Sequence, residues 1–456
     1  MEEIEVEGRF STDRRKFLGV AAAGAATMAA QVGLSGRAHA ATAGTVGSGA
    51  SALSGAPLGS PVQAGAEIRP FRISVPQKDL NELRRRIRAT RWPDKETVAD
   101  RTQGAQLARV QALVNYWGTD YDWRRIEKRL NALPQFITEI DGVDIQFAHI
   151  RSKHENAMPM LMTHGWPGSL VELLKVIDPL TNPTAHGGRA SDAFHLVLPT
   201  LPGYGFSGKP TAPGWNAGKI GQAFHQLMQR LGYQSYVSQG GDWGAIISEQ
   251  MAVQNLPGLL GIHVNMPGTV PPDVLRHLRN FDPAPAALSP AEKAAYNRLL
   301  HFYHDGFGYA AMMNQSPQTI GYALADSPVA MAAYFYDKIA EWTDSGGVPE
   351  KVLTYDEMLD TISLYWLTNT GASSSRSYWD GWQAGGGPFD AVPIPHVPVA
   401  VTVFPAEIYP APKSWGEQTF GNIIHWGQAS KGGHFAAWEQ PEILTDELRT
   451  AFRQLR

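Results

Sequence analysis

The sequence predicts an α/β fold: a mostly parallel sheet with helices on both faces, an inserted α-helical lid and an N-terminal wrapping region. Three observations carry that prediction. Apolar runs of strand length alternate with stretches of helical spacing between residues 158 and 265, and such alternation calls for parallel strands joined by helices. The strand signals fade from Pro267 to about Pro393, where helical spacing takes over, and then resume. A hairpin signal and helical segments stand ahead of the first parallel strand, from Glu67 onward.

Taken in order, Leu80, Leu83 and Ile87 with arginines between them suit a short amphipathic helix, stopped before Arg91-Trp92-Pro93-Asp94. A second helix is expected over Leu107 to Trp117. Phe136 to Ile140 and Val143 to Ile150 flank Asp141-Gly142, a dipeptide whose conformational freedom suits a tight hairpin turn. Met158 to Thr163 and Phe194 to Leu198 read as buried strands, each running into a loop rich in Gly and Pro. Ile220, Phe224, Leu227, Met228 and Leu231 recur at helical spacing up to Gly232. A strand over Tyr236 to Gln239, a helix from about Ala245 to Gln254 and a strand over Ile262 to Asn265 follow. Within the interruption, Ala291 to Tyr303, Pro328 to Trp342 and Tyr355 to Thr370 look helical. The sheet then resumes with Val397 to Phe404 and Asn422 to His425, and a last helix covers Pro441 to Arg453. The expected organisation is therefore an N-terminal region over 67–150, a core in two parts over 151–266 and 393–456, and the lid over 267–392.

Composition bounds the chemistry. The chain of 456 residues is 43% hydrophobic, enough for one large core and an attached lobe. Its formal net charge of −4 gives no electrostatic case for nucleic acid as a partner. The absence of cysteine excludes disulfides, thiolate metal sites and thiol nucleophiles. Fourteen histidines are present, but no His-Glu-x-x-His helix or comparable ligand cluster is found, so no metal is expected. The thirteen tryptophans suggest an aromatic-walled apolar pocket, although core packing accounts for most such residues equally well.

The first forty residues read as a leader. Arg14-Arg15 precede an apolar, Ala- and Gly-rich run from Val20 to Leu34, which closes on Ala38-His39-Ala40. This resembles a twin-arginine export signal cleaved after Ala40. The run is too short and too weakly apolar for a membrane anchor, so a periplasmic or extracellular location is expected, with no stable anchor after cleavage. Residues 41–66 are rich in Ala, Gly, Ser and Thr and read as a disordered linker.

Gly240-Gly241-Asp242-Trp243-Gly244 lies between an expected strand and an expected helix. It fits the nucleophile elbow of α/β-hydrolases, a sharp turn whose flanking positions tolerate little side chain, with Asp in the nucleophile position. That fold orders its partners as nucleophile, acid, base. Glu407 follows a strand in Phe404-Pro405-Ala406-Glu407, and His434 follows another in Gly432-Gly433-His434-Phe435. Each lies beyond a strand end, where open α/β sheets place their sites. His164-Gly165-Trp166-Pro167-Gly168 follows the strand that supplies half of the oxyanion hole in this fold. The backbone amides of Trp166 and Trp243 are the expected donors.

With these motifs the chain resembles the epoxide hydrolase family, of the microsomal and juvenile-hormone type with an N-terminal extension. The resemblance rests on His-Gly-Trp-Pro-Gly-Ser at 164–169, Gly-Tyr-Gly-Phe-Ser at 203–207, Gly-Gly-Asp-Trp-Gly at 240–244, the glutamate of Phe-Pro-x-Glu at Glu407, and Gly-Gly-His-Phe-Ala-Ala at 432–437. The segment from Pro70-Phe71 to Pro93-Asp94 is similar to the start of that family's wrapping region. The likeness runs from about Glu67 to the C-terminus; the export leader departs from the membrane-anchored relatives. It implies a small hydrophobic epoxide and water as reactants, no cofactor, and two lid tyrosines that bind and protonate the epoxide oxygen. Those tyrosines fall on Tyr309 and Tyr378, with Tyr365 and Tyr303 as rivals. A homodimer is compatible with the sequence, which leaves the oligomeric state open.

Two other readings share the fold. An Asp-nucleophile dehalogenase would need halide donors and no acid for its leaving group, whereas paired lid tyrosines suit an oxygen leaving group. A non-catalytic ligand-binding protein would have no use for a complete Asp242, Glu407 and His434 set.

Overall fold

A computed structural model describes residues 67–456; the expected leader and linker lie outside the described residues. Nine strands form one sheet: β1 (Arg69–Pro70), β2 (Gln135–Ile140), β3 (Val143–Ile150), β4 (Met158–Thr163), β5 (Phe194–Pro199), β6 (Tyr236–Gly240), β7 (Leu259–Val264), β8 (Val399–Val403) and β9 (Ile423–Gln428). Their order is β1-β2-β3-β5-β4-β6-β7-β8-β9. From β5 to β9 every pairing is parallel, and β1, β2 and β3 add an antiparallel edge that joins at β5. All residues of β5, β6 and β8 are buried, as strands covered on both faces must be.

The N-terminal region carries α1 (Gln77–Arg88), α2 (Leu107–Thr119) and α3 (Trp123–Asn131). Leu80, Leu83 and Ile87 are the buried stripe of α1, as their spacing requires. The core adds α4 (Ala217–Arg230) and α5 (Trp243–Val253). The lid is all helical, with α6 (Pro272–Arg279), α7 (Pro290–His301), α8 (Gly308–Gln315), α9 (Pro317–Asp326), α10 (Pro328–Trp342), α11 (Tyr355–Thr368) and α12 (Gly371–Ala384). A final helix, α13 (Pro441–Phe452), closes the fold.

Several bounds and elements differ from the sequence expectation: β7 spans Leu259–Val264 rather than Ile262 to Asn265, and α6, α8, α9 and α12 add to the three lid helices expected. The helix expected through Thr370 ends at Thr368, because Asn369 takes the left-handed conformation (φ 51°) that terminates it. The helix after the elbow begins at Trp243 rather than Ala245, since the turn feeds straight into it. The short helix α3 was not anticipated; it opens on Asp122, whose carboxylate accepts from the Arg124 amide. Among the described residues, no helix is long and apolar enough to cross a membrane.

Candidate active site

The chain leaves β4 to form β5 on one side and then returns to form β6 on the other side of β4. Such a reversal opens a crevice at the carboxyl ends of the strands. His164 to Gly168 and Asp242 occupy that crevice. Asp242 stands between β6 and α5 with φ 52° and ψ −127°, a strained conformation for a residue with a side chain. Its neighbours make the turn possible. A Cβ on Gly244 would sit 2.1 Å from the Thr163 carbonyl oxygen, and one on Gly240 would sit 2.1 Å from the Gly244 carbonyl carbon. Glycine at both positions lets the strand, turn and helix approach this closely.

Glu407 and His434 converge on Asp242 from the loops after β8 and β9. His434 Nδ1 lies 2.6 Å from Glu407 Oε1, and its Nε2 lies 3.3 Å from Asp242 Oδ2. Glu407 is fully buried and also accepts from the Ile408 amide at 2.7 Å. Burial opposes charge on His434, but Glu407 and Asp242 outweigh it and hold the imidazole pKa well above its usual value. An acid, a base and a carboxylate nucleophile thus form one continuous chain of contacts.

The Trp166 amide donates to Asp242 Oδ1 at 2.8 Å. Trp243 is the first residue of α5, where an amide has no partner within the helix. Gly165 leaves room for the nucleophile, since a Cβ there would lie 2.3 Å from Asp242 Oδ1.

Tyr309 and Tyr378 meet over this floor, ring centroids 5.9 Å apart and nearly perpendicular. Tyr309 stacks on the Trp166 indole at 5.2 Å, and Tyr378 stands edge-on to Trp243 at 5.1 Å. Burial first, with the Asp242 charge adding to it, pushes both phenols well above their usual pKa. The rivals are placed elsewhere. Tyr365 spends its hydroxyl on the Gly168 carbonyl at 2.7 Å, and Tyr303 packs among Phe302, Phe307 and Phe389.

Sequence reasoning missed other polar groups at the site. Glu172, on the helical turn after the His164–Ser169 motif, faces both His434 and Asp242, and desolvation pushes its carboxyl up to about 8. Thr163 ends β4, and Asn265 directly follows β7; inspecting strand ends in the sequence would have found both. His164 itself is structural: Nδ1 donates to the Gly165 carbonyl and Nε2 accepts from the Leu201 amide. Burial pushes its pKa down to about 4, which fits that neutral tautomer. Among the described residues there is no group of three His, Asp or Glu side chains able to hold a metal.

The fold, the elbow and the contact chain Glu407–His434–Asp242 define an α/β-hydrolase with a carboxylate in the nucleophile position. The family profile for the alpha/beta hydrolase fold matches residues 158–363, and that for the epoxide hydrolase N terminus matches residues 68–173. The chain belongs to the epoxide hydrolase family. It is 53% identical over 391 residues to a Stigmatella aurantiaca protein provisionally named epoxide hydrolase, covering 85% of this chain and 86% of that one. It is 34% identical over 410 residues to epoxide hydrolase 1 of Sus scrofa, covering 84% and 88% respectively. The crystal structure of juvenile hormone epoxide hydrolase from the silkworm Bombyx mori superposes with a TM-score of 0.77 at 30% identity, covering 86% of this chain and 95% of that one.

Proposed function

We propose that the enzyme opens an epoxide to a vicinal diol through an alkyl ester on Asp242. The observation that carries this reading is the pair of buried phenols, Tyr309 and Tyr378, packed on Trp166 and Trp243 beside Asp242 and within reach of its charge. An epoxide has a poor alkoxide leaving group, so it needs a nucleophile at carbon and a proton at oxygen together. Trp166 holds Oδ1, which leaves Oδ2 to attack a ring carbon as the ring C–O bond breaks. The ring oxygen takes its proton from a lid phenol. His434, oriented by Glu407, then removes a proton from water, and the resulting hydroxide adds to the Asp242 carbonyl carbon. The oxyanion rests on the Trp166 amide, with the Trp243 amide as the second donor. Collapse releases the diol, and as the Asp242 carboxyl gives up its proton to solvent the phenolate regains one, which restores both groups.

Wild-type enzyme should convert an aryl epoxide such as styrene oxide to its diol. Replacing His434 by Gln should spare alkylation and block hydrolysis, so intact-mass analysis should show an adduct that maps to the Asp242 peptide. Diol turnover by that variant at the wild-type rate would refute the role of His434.

The same proposal extends to location. The arginine pair and Ala38-His39-Ala40 support export by a twin-arginine route, after which the enzyme would meet reactive epoxides outside the cytoplasm and detoxify them. Replacing Arg14 and Arg15 by Lys should leave full-length precursor inside the cell. Normal export and processing of that variant would count against the route.

A further inference from the structure

A small cavity lies beside the base, bounded by Thr163, Glu172, Gln239, Asn265 and His434 and by Gly241, the residue before Asp242. Its polar wall is unusual for so buried a place. The Thr163 hydroxyl is fully buried and has no hydrogen-bond partner among the described residues, which costs free energy unless a small polar guest satisfies it. Thr163 pairs in register with Gly240, two residues before Asp242, so its side chain belongs to the elbow's immediate surroundings. Glu172 reaches the same space from the helical turn at the end of the loop that follows Thr163. A Cβ on Gly168 would overlap its Oε2, so glycine there gives the carboxylate room to lie against the turn.

We propose that this cavity seats the water that hydrolyses the Asp242 ester, with Thr163 and Glu172 as its positioning residues. The inference rests on the alkyl-ester reading of Asp242. Thr163, Glu172 and His434 give the water three polar partners, a number typical of a buried water. In the step, the water oxygen bonds to Asp242 Cγ while one proton passes to His434 Nε2 and the carbonyl electron pair moves onto Oδ1. The bond from Cγ to the alkyl oxygen then breaks, and the His434 proton goes to the departing alkoxide. The remaining hydrogen of the water stays on the carboxyl of Asp242 and is lost to solvent as the free enzyme re-forms. Glu172 orients the water and exchanges no proton in the balance. Asn265 contributes indirectly, since its amide contacts Glu407 Oε2 at 3.4 Å.

The test separates the two half-reactions by rapid quench and intact mass, using styrene oxide with enzyme in excess. Thr163→Val and Glu172→Gln should each alkylate within about twofold of wild type yet lose the ester at least about tenfold more slowly, so that kcat and KM fall together. Thr163→Ser, which keeps the hydroxyl, should restore ester decay to within about twofold of wild type. Ester decay at the wild-type rate in both variants would overturn the proposal. So would an equal loss of both steps that Thr163→Ser fails to rescue, because that pattern marks packing. Absence of any adduct in wild type and in His434→Gln would instead overturn the Asp242 reading and this inference with it.

Discussion

His434 lies between two carboxylates, and their separate effects order the reaction. Both Glu407 and Asp242 raise its pKa against the opposing pull of burial. In the free enzyme both carboxylates therefore favour the protonated imidazole. Esterification removes the charge on Asp242, and with it part of what keeps that proton in place, so the base is released only when there is an ester to hydrolyse. The lid phenols follow the opposite logic. Burial, and after it the Asp242 charge and for Tyr378 its neighbour Tyr309, favour the protonated phenols beyond their ordinary pKa of 10.0, so in the proposed reaction both are able to donate throughout the neutral and mildly alkaline range. Single-turnover alkylation should accordingly stay flat as pH rises from 7 to 10.0; a decline within that window would mean a phenol with a lower pKa than its surroundings allow. Changing either tyrosine to Phe should slow alkylation by about one to two orders of magnitude, and changing both should abolish it, with kcat and kcat/KM falling together. Ring volume is nearly preserved, so folding should survive. Near wild-type diol formation by the double variant would reduce these tyrosines to packing residues. The sequence alone did not distinguish them among fifteen tyrosines; family likeness pointed to them, and packing against Trp166 and Trp243 separates them from Tyr365 and Tyr303.

At the level of elements, what was legible followed from periodicity and from sterically demanding glycines. Strand and helix periods located β2 to β9 within a few residues, and the elbow stood out because its turn tolerates so little side chain. What was hidden depended on tertiary context. Helix α12 runs through Ser373, Ser374 and Ser375, residues with little helical preference, which are buried and bond back to carbonyls at Gly203, Thr370 and Gly371. The junction of β3 with β5 was equally hidden, since a hairpin signal says nothing about which strand it joins. The elbow also yields a prediction. Gly244→Ala would drive a methyl to 2.1 Å from the Thr163 carbonyl oxygen, so β4 and α5 must separate. We expect a stability loss of about 1–3 kcal/mol and, because Asp242 moves with the turn, a fall of about a hundredfold in kcat/KM. Thermal melting and adduct formation measure the two effects; a stable variant that alkylates at the normal rate would show that the close approach is dispensable.

Across the whole molecule, the N-terminal region touches both halves of the catalytic apparatus. Its strands extend the sheet at β5, while its helices hold the lid. Trp117 donates its indole N–H to Ser363 at 2.8 Å, and Tyr121 and Arg125 both donate to Asp360 on α11, at 2.9 and 2.6 Å. From the other side, the end of α10 holds the base loop: the His434 amide donates to the Trp342 carbonyl and the Gly432 amide to Asp344. The lid that carries Tyr309 and Tyr378 is thus braced between the wrapping region and the loop that carries His434. Asp360 is the most heavily used point of this brace. Asp360→Ala would take the shared acceptor from Tyr121 and Arg125, leaving Arg125 only its longer contact with Asp356 at 3.5 Å. Because the Arg125 side chain is 40% exposed, water recovers part of the loss, and we expect destabilisation of about 2 kcal/mol, below the value for a fully buried pair. The substitution should also change how stability depends on pH. Burial raises the Asp360 pKa from 3.8 to about 6 despite Arg125 and Tyr121. Between those values the folded chain binds more protons than the unfolded one, so this group's contribution is fully present below 3.8 and is lost as pH rises through about 6. Chemical denaturation of wild type and Asp360→Ala across that window should show the wild-type advantage shrinking toward the higher pH. An unchanged denaturation midpoint in Asp360→Ala at every pH would mean that the lid is held by apolar packing alone and that the polar brace contributes nothing to it.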